Sequence, residues 1–204
     1  MVKAVKFTAL IIAMFSAVML FAGDQAKIGE KAPAFTLTDT HGKTHSLADF
    51  KGKYVVLEWI NFDCPFVVKH YESKNMQNLQ KKYTGKDVVW LTICSSGEGK
   101  QGHYDNNTIN EKLKERGASM TAYLIDEDGT VGKKYMAKTT PHMYIISPEG
   151  NLIFAGGIDN IKSTDTDDIK KSKNWVQIGL DEAMSGKEIT EKTPTPYGCS
   201  VKYK

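Results

Sequence analysis

The stretch Tyr54 to Tyr71, YVVLEWINFDCPFVVKHY, constrains the fold more than any other part of the chain. Its opening run, Tyr54 to Ile60, is apolar except for Glu58, as expected of a strand buried on both faces. Asn61-Phe62-Asp63 breaks that run. Cys64-Pro65 then opens a segment in which Phe66, Val67, Tyr71, Met76, Leu79 and Tyr83 recur at near-helical spacing, loosening around Ser73 to Asn75, where a kink is expected. Proline suits the first helical turn, where its missing N–H has no intrahelical partner to lose. A strand that stops at a cysteine and turns into a helix places the sulfur against unpaired N–H groups and the positive end of the helix dipole, which favours the thiolate. Cys64 is therefore expected to be a nucleophile, with Pro65 shaping its setting, in preference to a small buried filler.

The N-terminus has the form of an export signal. Lys3 and Lys6 precede an apolar run from Phe7 to Phe21, with cleavage expected after Ala22 or Gly23. That run is shorter than the roughly 20 residues of a membrane span; an uncleaved anchor is the alternative reading. Either way the body is expected to be exported, periplasmic or extracytoplasmic. Residues 1–23 are thus set apart from a domain over 27–186 and a proline-containing tail over 187–204. The chain carries 27 Lys+Arg against 24 Asp+Glu, a net charge of +3. Arg116 is the only arginine, and lysines alternate with acids, so no nucleic-acid surface is expected. The three cysteines, Cys64, Cys94 and Cys199, leave at least one thiol free or only transiently paired.

Along the chain, a short strand Phe35–Thr38, a turn Asp39–Gly42 and a Ser46-capped helical turn Leu47–Phe50 lead into the main strand. His41 and His45 fall in this polar entry and read as exposed loop residues. Val88–Cys94 reads as a second buried strand, Ser95–Asn107 as a long loop, and Ile109–Arg116 as a helix capped by Thr108. Thr121–Ile125 reads as a strand and Val131–Tyr135 as a short helix. His142–Ile146 and Leu152–Ala155 form a hairpin, and a last helix, capped by Thr164 or Thr166, runs from Asp167 to Met184. This order predicts an α/β fold: a mixed, mostly parallel central sheet with helices on both faces. Sites in such sheets lie beyond the carboxyl ends of the strands, where Cys64 and Cys94 both fall.

Gly29-Glu30-Lys31-Ala32-Pro33-Ala34-Phe35 with Leu37, Gly42-Lys43, the strand ending at Cys64-Pro65, and Thr140-Pro141 together resemble the thioredoxin-like superfamily. Within it the chain is most similar to the redoxin branch of alkyl hydroperoxide reductase and thiol-specific antioxidant proteins, and the likeness runs from about Ile28 to Ala183. The resemblance implies that Cys64 is the nucleophile and that Pro141, after Thr140, is a cis proline packed near it. Two departures matter. A thioredoxin would carry a second cysteine where this chain has Val67. A peroxiredoxin would carry proline and threonine or serine where this chain has Leu57 and Asn61, and an arginine near the strand that begins at His142. Peroxide activation, which needs donors around both oxygens, then has only Asn61 and His142 to draw on.

Turnover needs a thiol to resolve a mixed disulfide. Cys199, in the flexible-looking Tyr197-Gly198-Cys199-Ser200, is one candidate, with a static clip as its alternative. Cys94 is the second, and an external thiol the third. Glu58 is either a buried proton acceptor near the thiol or a solvent-facing position. His142, next to Pro141, is a further site candidate. Asp63 caps the helix or opposes the thiolate, and His70 is expected on the surface or packed. The expected function is an exported thiol oxidoreductase working on a thiol- or disulfide-bearing protein or a small thiol, without a cofactor. The alternatives are a peroxiredoxin-like peroxidase with antioxidant activity, or a metal- or partner-binding protein on the same frame, with Cys64, Cys94, Cys199 and His142 as the soft ligands.

Overall fold

The computed structural model describes residues 25–204. The expected export signal, its cleavage point and the alternative anchor lie outside the described residues. Among the described residues no helix is long and apolar enough to cross a membrane.

The chain enters through a hairpin, β1 (Thr36–Asp39) and β2 (Thr44–Ser46). The Asp39 carboxylate closes its turn by accepting from the His41 and Lys43 N–H groups at 2.9 and 3.0 Å, and its second oxygen meets His45 Nε2 at 2.8 Å. His45 is therefore buried, contrary to the expectation of an exposed loop residue, because it satisfies the buried Asp39. Ser46 precedes a 3-10 turn, Leu47–Phe50, as anticipated.

Next comes β3 (Val55–Trp59), buried at every position, which pairs in parallel with β4 (Val89–Cys94); β4 in turn pairs in parallel with β5 (Ala122–Ile125). On its other edge β3 meets β7 (His142–Ile146), which pairs with β8 (Leu152–Gly156), both antiparallel. The order β2-β1-β5-β4-β3-β7-β8 makes a seven-stranded mixed sheet whose parallel part is confined to β3, β4 and β5. A separate two-stranded ribbon joins β6 (Thr139–Thr140) to β9 (Cys199–Ser200).

Helix α1 (Pro65–Glu72) starts with Cys64 as N-cap and Pro65 in the first turn. It gives way to α2 (Asn75–Thr84) at Lys74, whose φ of +62° ends the first helix; the expected kink is a full break. Helix α3 (Asn106–Arg116) starts earlier than expected because Asp105, not Thr108, caps it, accepting from the Asn107 and Thr108 N–H groups. Helix α4 is short (Thr130–Lys134). The expected last helix is also divided. A 3-10 turn over Thr166–Lys170 is capped by Asp165, and α5 (Trp175–Met184) begins after Asn174, whose side chain accepts from the Gln177 N–H at 2.9 Å. Asparagine and aspartate compete with helix interiors and win at caps. The α1, α2, α3 and α5 side chains pack with Val56, Ile60, Met143 and Ile145 on one sheet face, while Phe35, Val131 and Tyr135 pack with Leu57, Trp59 and Tyr144 on the other.

Glu58 sits in the central strand of this sheet with no solvent exposure, so it is neither an edge nor a solvent-facing residue. Its Oε2 accepts from Trp90 Nε1 at 2.6 Å, Thr92 Oγ1 at 3.0 Å and Gln80 Nε2 at 3.1 Å, leaving Oε1 to the Tyr71 hydroxyl at 3.2 Å. Burial pushes its carboxyl up to about 7, against the four donors that favour the charged form. Between the ordinary value of 4.5 and about 7 the folded chain keeps a proton that the unfolded chain has released, so Glu58 costs stability as pH rises through that window. Glu58→Gln, whose amide can donate to Tyr71, is expected to abolish a loss of about 3 kcal/mol that the wild type shows between about pH 4 and about pH 8. Urea unfolding of both proteins at the two pH values measures it.

Candidate active site

Cys64 is fully buried at the carboxyl end of β3, where the Asn61-Phe62-Asp63 turn delivers it to the first turn of α1. The turn is held from several sides. Asn61 Oδ1 accepts from the Asp63 N–H at 2.9 Å, and Asn61 Nδ2 donates to the Gln101 carbonyl at 3.1 Å. The Tyr104 hydroxyl donates to the Asp63 carboxylate at 2.7 Å. Arg116 Nη2 donates to the Phe62 carbonyl at 3.1 Å, its guanidinium 5.0 Å from the Phe62 ring centre. Asn61 therefore ties the long 95–105 loop to the turn. Asp63 is occupied by Tyr104, and Cys64 itself is the helix N-cap.

On the opposite side, Cys64 Sγ donates to the Thr140 carbonyl at 3.1 Å, and the Thr140–Pro141 peptide is cis. The tail returns here. β9 pairs antiparallel with β6 so that Cys199 stands opposite Thr140, and the Cys199 side chain is within hydrogen-bonding reach of Cys64. Gly198 makes this approach feasible: its φ is +136°, and a Cβ there would lie 2.0 Å from the Thr140 carbonyl oxygen. The tail that looked flexible is in fact pinned. The Gly157 and Gly97 N–H groups donate to the Pro194 and Lys202 carbonyls at 2.9 Å, and the Tyr203 hydroxyl donates to the Ala137 carbonyl at 2.7 Å.

The two sulfurs titrate in opposite directions. Burial alone would raise Cys64, but hydrogen bonds from the Cys199 thiol, the Thr140 hydroxyl and the Cys199 and Val67 N–H groups outweigh it and hold the thiol below its ordinary value. Thr140 Oγ1 is buried without a partner in the thiol form, so it is available to a thiolate. Burial, and the hydrogen bond it shares with Cys64, push Cys199 up to about 11. Of the two sulfurs, Cys64 is therefore the one that gives up its proton first.

The other sequence candidates lie elsewhere. Cys94 ends β4, and its Sγ is engaged with the Gly102 carbonyl at 3.6 Å and with Tyr123. His142 is buried on the other face of the sheet. Along β7 the side chains alternate, Met143 and Ile145 joining the core that holds Cys64, while His142 meets the Tyr144 hydroxyl at 2.9 Å and the Lys138 N–H at 3.3 Å. Burial and the nearby Lys138 charge push it down to about 4. Glu58 gives its oxygens to Trp90, Thr92, Gln80 and Tyr71, and none to the thiol. His70 is buried within α1. Among the described residues no group of three or more His, Cys, Asp or Glu is arranged to hold a metal ion. Sequence reasoning missed Arg116, Tyr104, Asp159 and Tyr197 as residues that build the site; no local pattern marks them, since each acts across a long span of chain.

A mixed sheet whose central strand delivers a cysteine to a helix N-terminus, facing a cis-proline peptide, defines a thioredoxin-like protein, an architecture shared by solved thioredoxin structures. The chain belongs to the AhpC/TSA family, which it matches over residues 28–155. It is 30% identical over 135 residues to the thiol-disulfide oxidoreductase ResA of Bacillus subtilis (strain 168), covering 66% of this chain and 70% of that one. It is 27% identical over 141 residues to peroxiredoxin Bcp of the same organism, covering 62% and 82%. The structure of an uncharacterized conserved protein from Geobacillus kaustophilus aligns over 89% of this chain and 94% of its own, with a TM-score of 0.74 and 26% identity.

Alkylation of Cys64, followed against pH with the modified peptide located by mass spectrometry, should titrate below the value of about 8.5 for a free cysteine. Cys199→Ala removes a donor and should move the midpoint upward. An unmoved midpoint would show that the two sulfurs share no hydrogen bond.

Proposed function

We propose that the chain is a thiol-disulfide oxidoreductase in which Cys64 attacks a disulfide and Cys199 resolves the product. The observation that carries this reading is the contact between a buried helix-N-terminal sulfur and a second cysteine brought to it on β9. In the reductive direction the Cys64 thiolate attacks one sulfur of a substrate disulfide. A Cys64–substrate disulfide forms, and the other substrate sulfur leaves as a thiolate. Cys199, losing its proton, then attacks Cys64 Sγ, closing the Cys64–Cys199 disulfide and expelling the remaining substrate sulfur. The substrate gains two electrons and two protons; the cysteine pair loses them. An external dithiol returns the pair to the reduced state.

The partner is a disulfide-bearing protein or small disulfide, and no cofactor takes part. Val67, in place of a second cysteine within α1, leaves resolution to the tail. The basic start at Lys3 and Lys6 with the apolar run to Phe21 supports export, and hence an oxidising compartment in which such exchange has substrates. The peroxidase reading has less support. Of its available donors, Asn61 gives a hydrogen bond to the Gln101 carbonyl, and His142 is engaged with Tyr144 on the other face of the sheet.

Reduction of insulin disulfides by dithiothreitol-recharged protein is the test. Cys64→Ser should fall to the uncatalysed background. Cys199→Ser should accumulate a Cys64–substrate mixed disulfide and turn over on the order of 100-fold more slowly, because a bimolecular step replaces an intramolecular one. Cys94→Ser should keep wild-type activity. Full activity in Cys64→Ser protein would overturn the reading.

A further inference from the structure

Behind the two cysteines lies a buried polar cluster that the exchange chemistry does not use. Asp159, at 2% exposure, follows β8. Its Oδ1 accepts from the Tyr197 hydroxyl at 2.5 Å and from the Ile161 N–H at 2.9 Å. Its Oδ2 has no hydrogen-bond partner among the described residues and lies 3.8 Å from both Lys69 Nζ and His70 Nε2, themselves buried on α1. Lys69 is held in turn by the Ile161 carbonyl at 3.1 Å. The Tyr197 ring packs edge-on against Phe66, centre to centre 5.7 Å, with the Lys69 ammonium 5.8 Å away. Tyr197, two residues before Cys199, thus meets α1, whose N-cap is Cys64, directly through Phe66 and Lys69, and meets it indirectly through Asp159.

This matters because of the reach involved. The two-residue ribbon of β6 and β9 is too short to hold a strand alone, and the Cys64–Cys199 contact vanishes if residues 197–200 lift. Tyr197 is the last large side chain before Cys199, and Gly198 between them has no side chain to anchor. A hydrogen bond from a phenol to a buried carboxylate is among the stronger neutral-to-charged contacts. Its position fixes where the tail turns toward Thr140.

We propose that Asp159 and Tyr197 are positioning residues for the Cys64–Cys199 pair: their buried hydrogen bond, backed by Lys69 and by Phe66, sets the effective concentration of Cys199 at Cys64. The proposal rests on the reading of these two cysteines as an exchanging pair. The balance involved is one oxidised glutathione accepting two electrons and two protons from Cys64 and Cys199, giving the intramolecular disulfide and two glutathione thiols.

The test is the equilibrium of that reaction in glutathione redox buffers. It would be read by mass spectrometry after acid quenching on wild type, Tyr197→Phe, Asp159→Asn and the double variant, with near-ultraviolet circular dichroism as the check on folding. Tyr197→Phe keeps the ring on Phe66 and removes only the hydroxyl; the equilibrium constant for the disulfide should fall about tenfold or more. Asp159→Asn retains an acceptor for the phenol and should fall less. The double variant should be no worse than Tyr197→Phe alone, as expected for two partners in one bond. Phe66→Leu, which leaves the polar cluster intact, should weaken the disulfide in the same direction. A folded Tyr197→Phe protein with an equilibrium constant within twofold of wild type would overturn the positioning role while leaving the cysteine pair standing. A wild type that forms no Cys64–Cys199 disulfide in any buffer would overturn both.

Discussion

A sulfur sealed from water ionises only where the protein supplies the hydrogen bonds that water would have given. Cys64 is in that position. It is fully buried, and the donors around it come from three separate stretches of chain: Val67 from its own helix, Thr140 from the cis-proline peptide, and Cys199 from the returning tail. Burial works against ionisation, and the Cys199 thiol is the largest of the contributions that oppose it. Much else in the fold follows from this demand. The tail has to close; Gly198 must be a glycine for it to close; and Gly156, where a Cβ would come within 2.3 Å of the Pro194 carbonyl, lets the tail run tight along β8. The same closure that favours the Cys64 thiolate makes the Cys199 proton hard to remove, so the two sulfurs are shifted in opposite directions.

The rear of the site is built for rigidity. Phe62 stacks on Tyr123 at 5.8 Å and meets Tyr71 edge-on at 5.5 Å, so the turn before Cys64 rests on a wall of rings. Arg116 closes that wall from above by capping the Phe62 carbonyl. Below it, Tyr71 links to Glu58 and so to Trp90, Thr92 and Gln80, a satisfied polar network inside the sheet. The front, by contrast, is a strap of short pairings and a few side-chain anchors, the kind of element that opens at lower cost than the core.

Much of this was legible in the sequence wherever local chemistry decides structure. The runs Tyr54–Ile60 and Val88–Cys94 read as buried strands because they are apolar but for Glu58 and Thr92, and Pro65 marks the helix start at Cys64. Where two local signals compete, spacing alone does not decide between them. Asp105 outcompeted Thr108 as a cap, and Asn174 divided a helix that apolar spacing alone would have drawn unbroken. Adjacency to Pro141 makes His142 a site candidate, although the alternation along His142–Ile146 sends it to the opposite face. The closure of the tail was not legible at all, because its partners, Thr139–Thr140, Asp159 and Lys69, are set by the folded topology and not by spacing. Nor does the family reach it: the matched region stops at residue 155, ahead of Asp159, Tyr197 and Cys199.

The most direct measurement is the disulfide map of the oxidised protein. The chain would be equilibrated with oxidised glutathione, quenched in acid, blocked at its remaining thiols and digested for mass spectrometry. The account predicts one intramolecular disulfide, joining the Cys64 and Cys199 peptides, with Cys94 recovered as a blocked thiol. A disulfide that includes Cys94, or a Cys64 that carries only glutathione while Cys199 stays free, would contradict it.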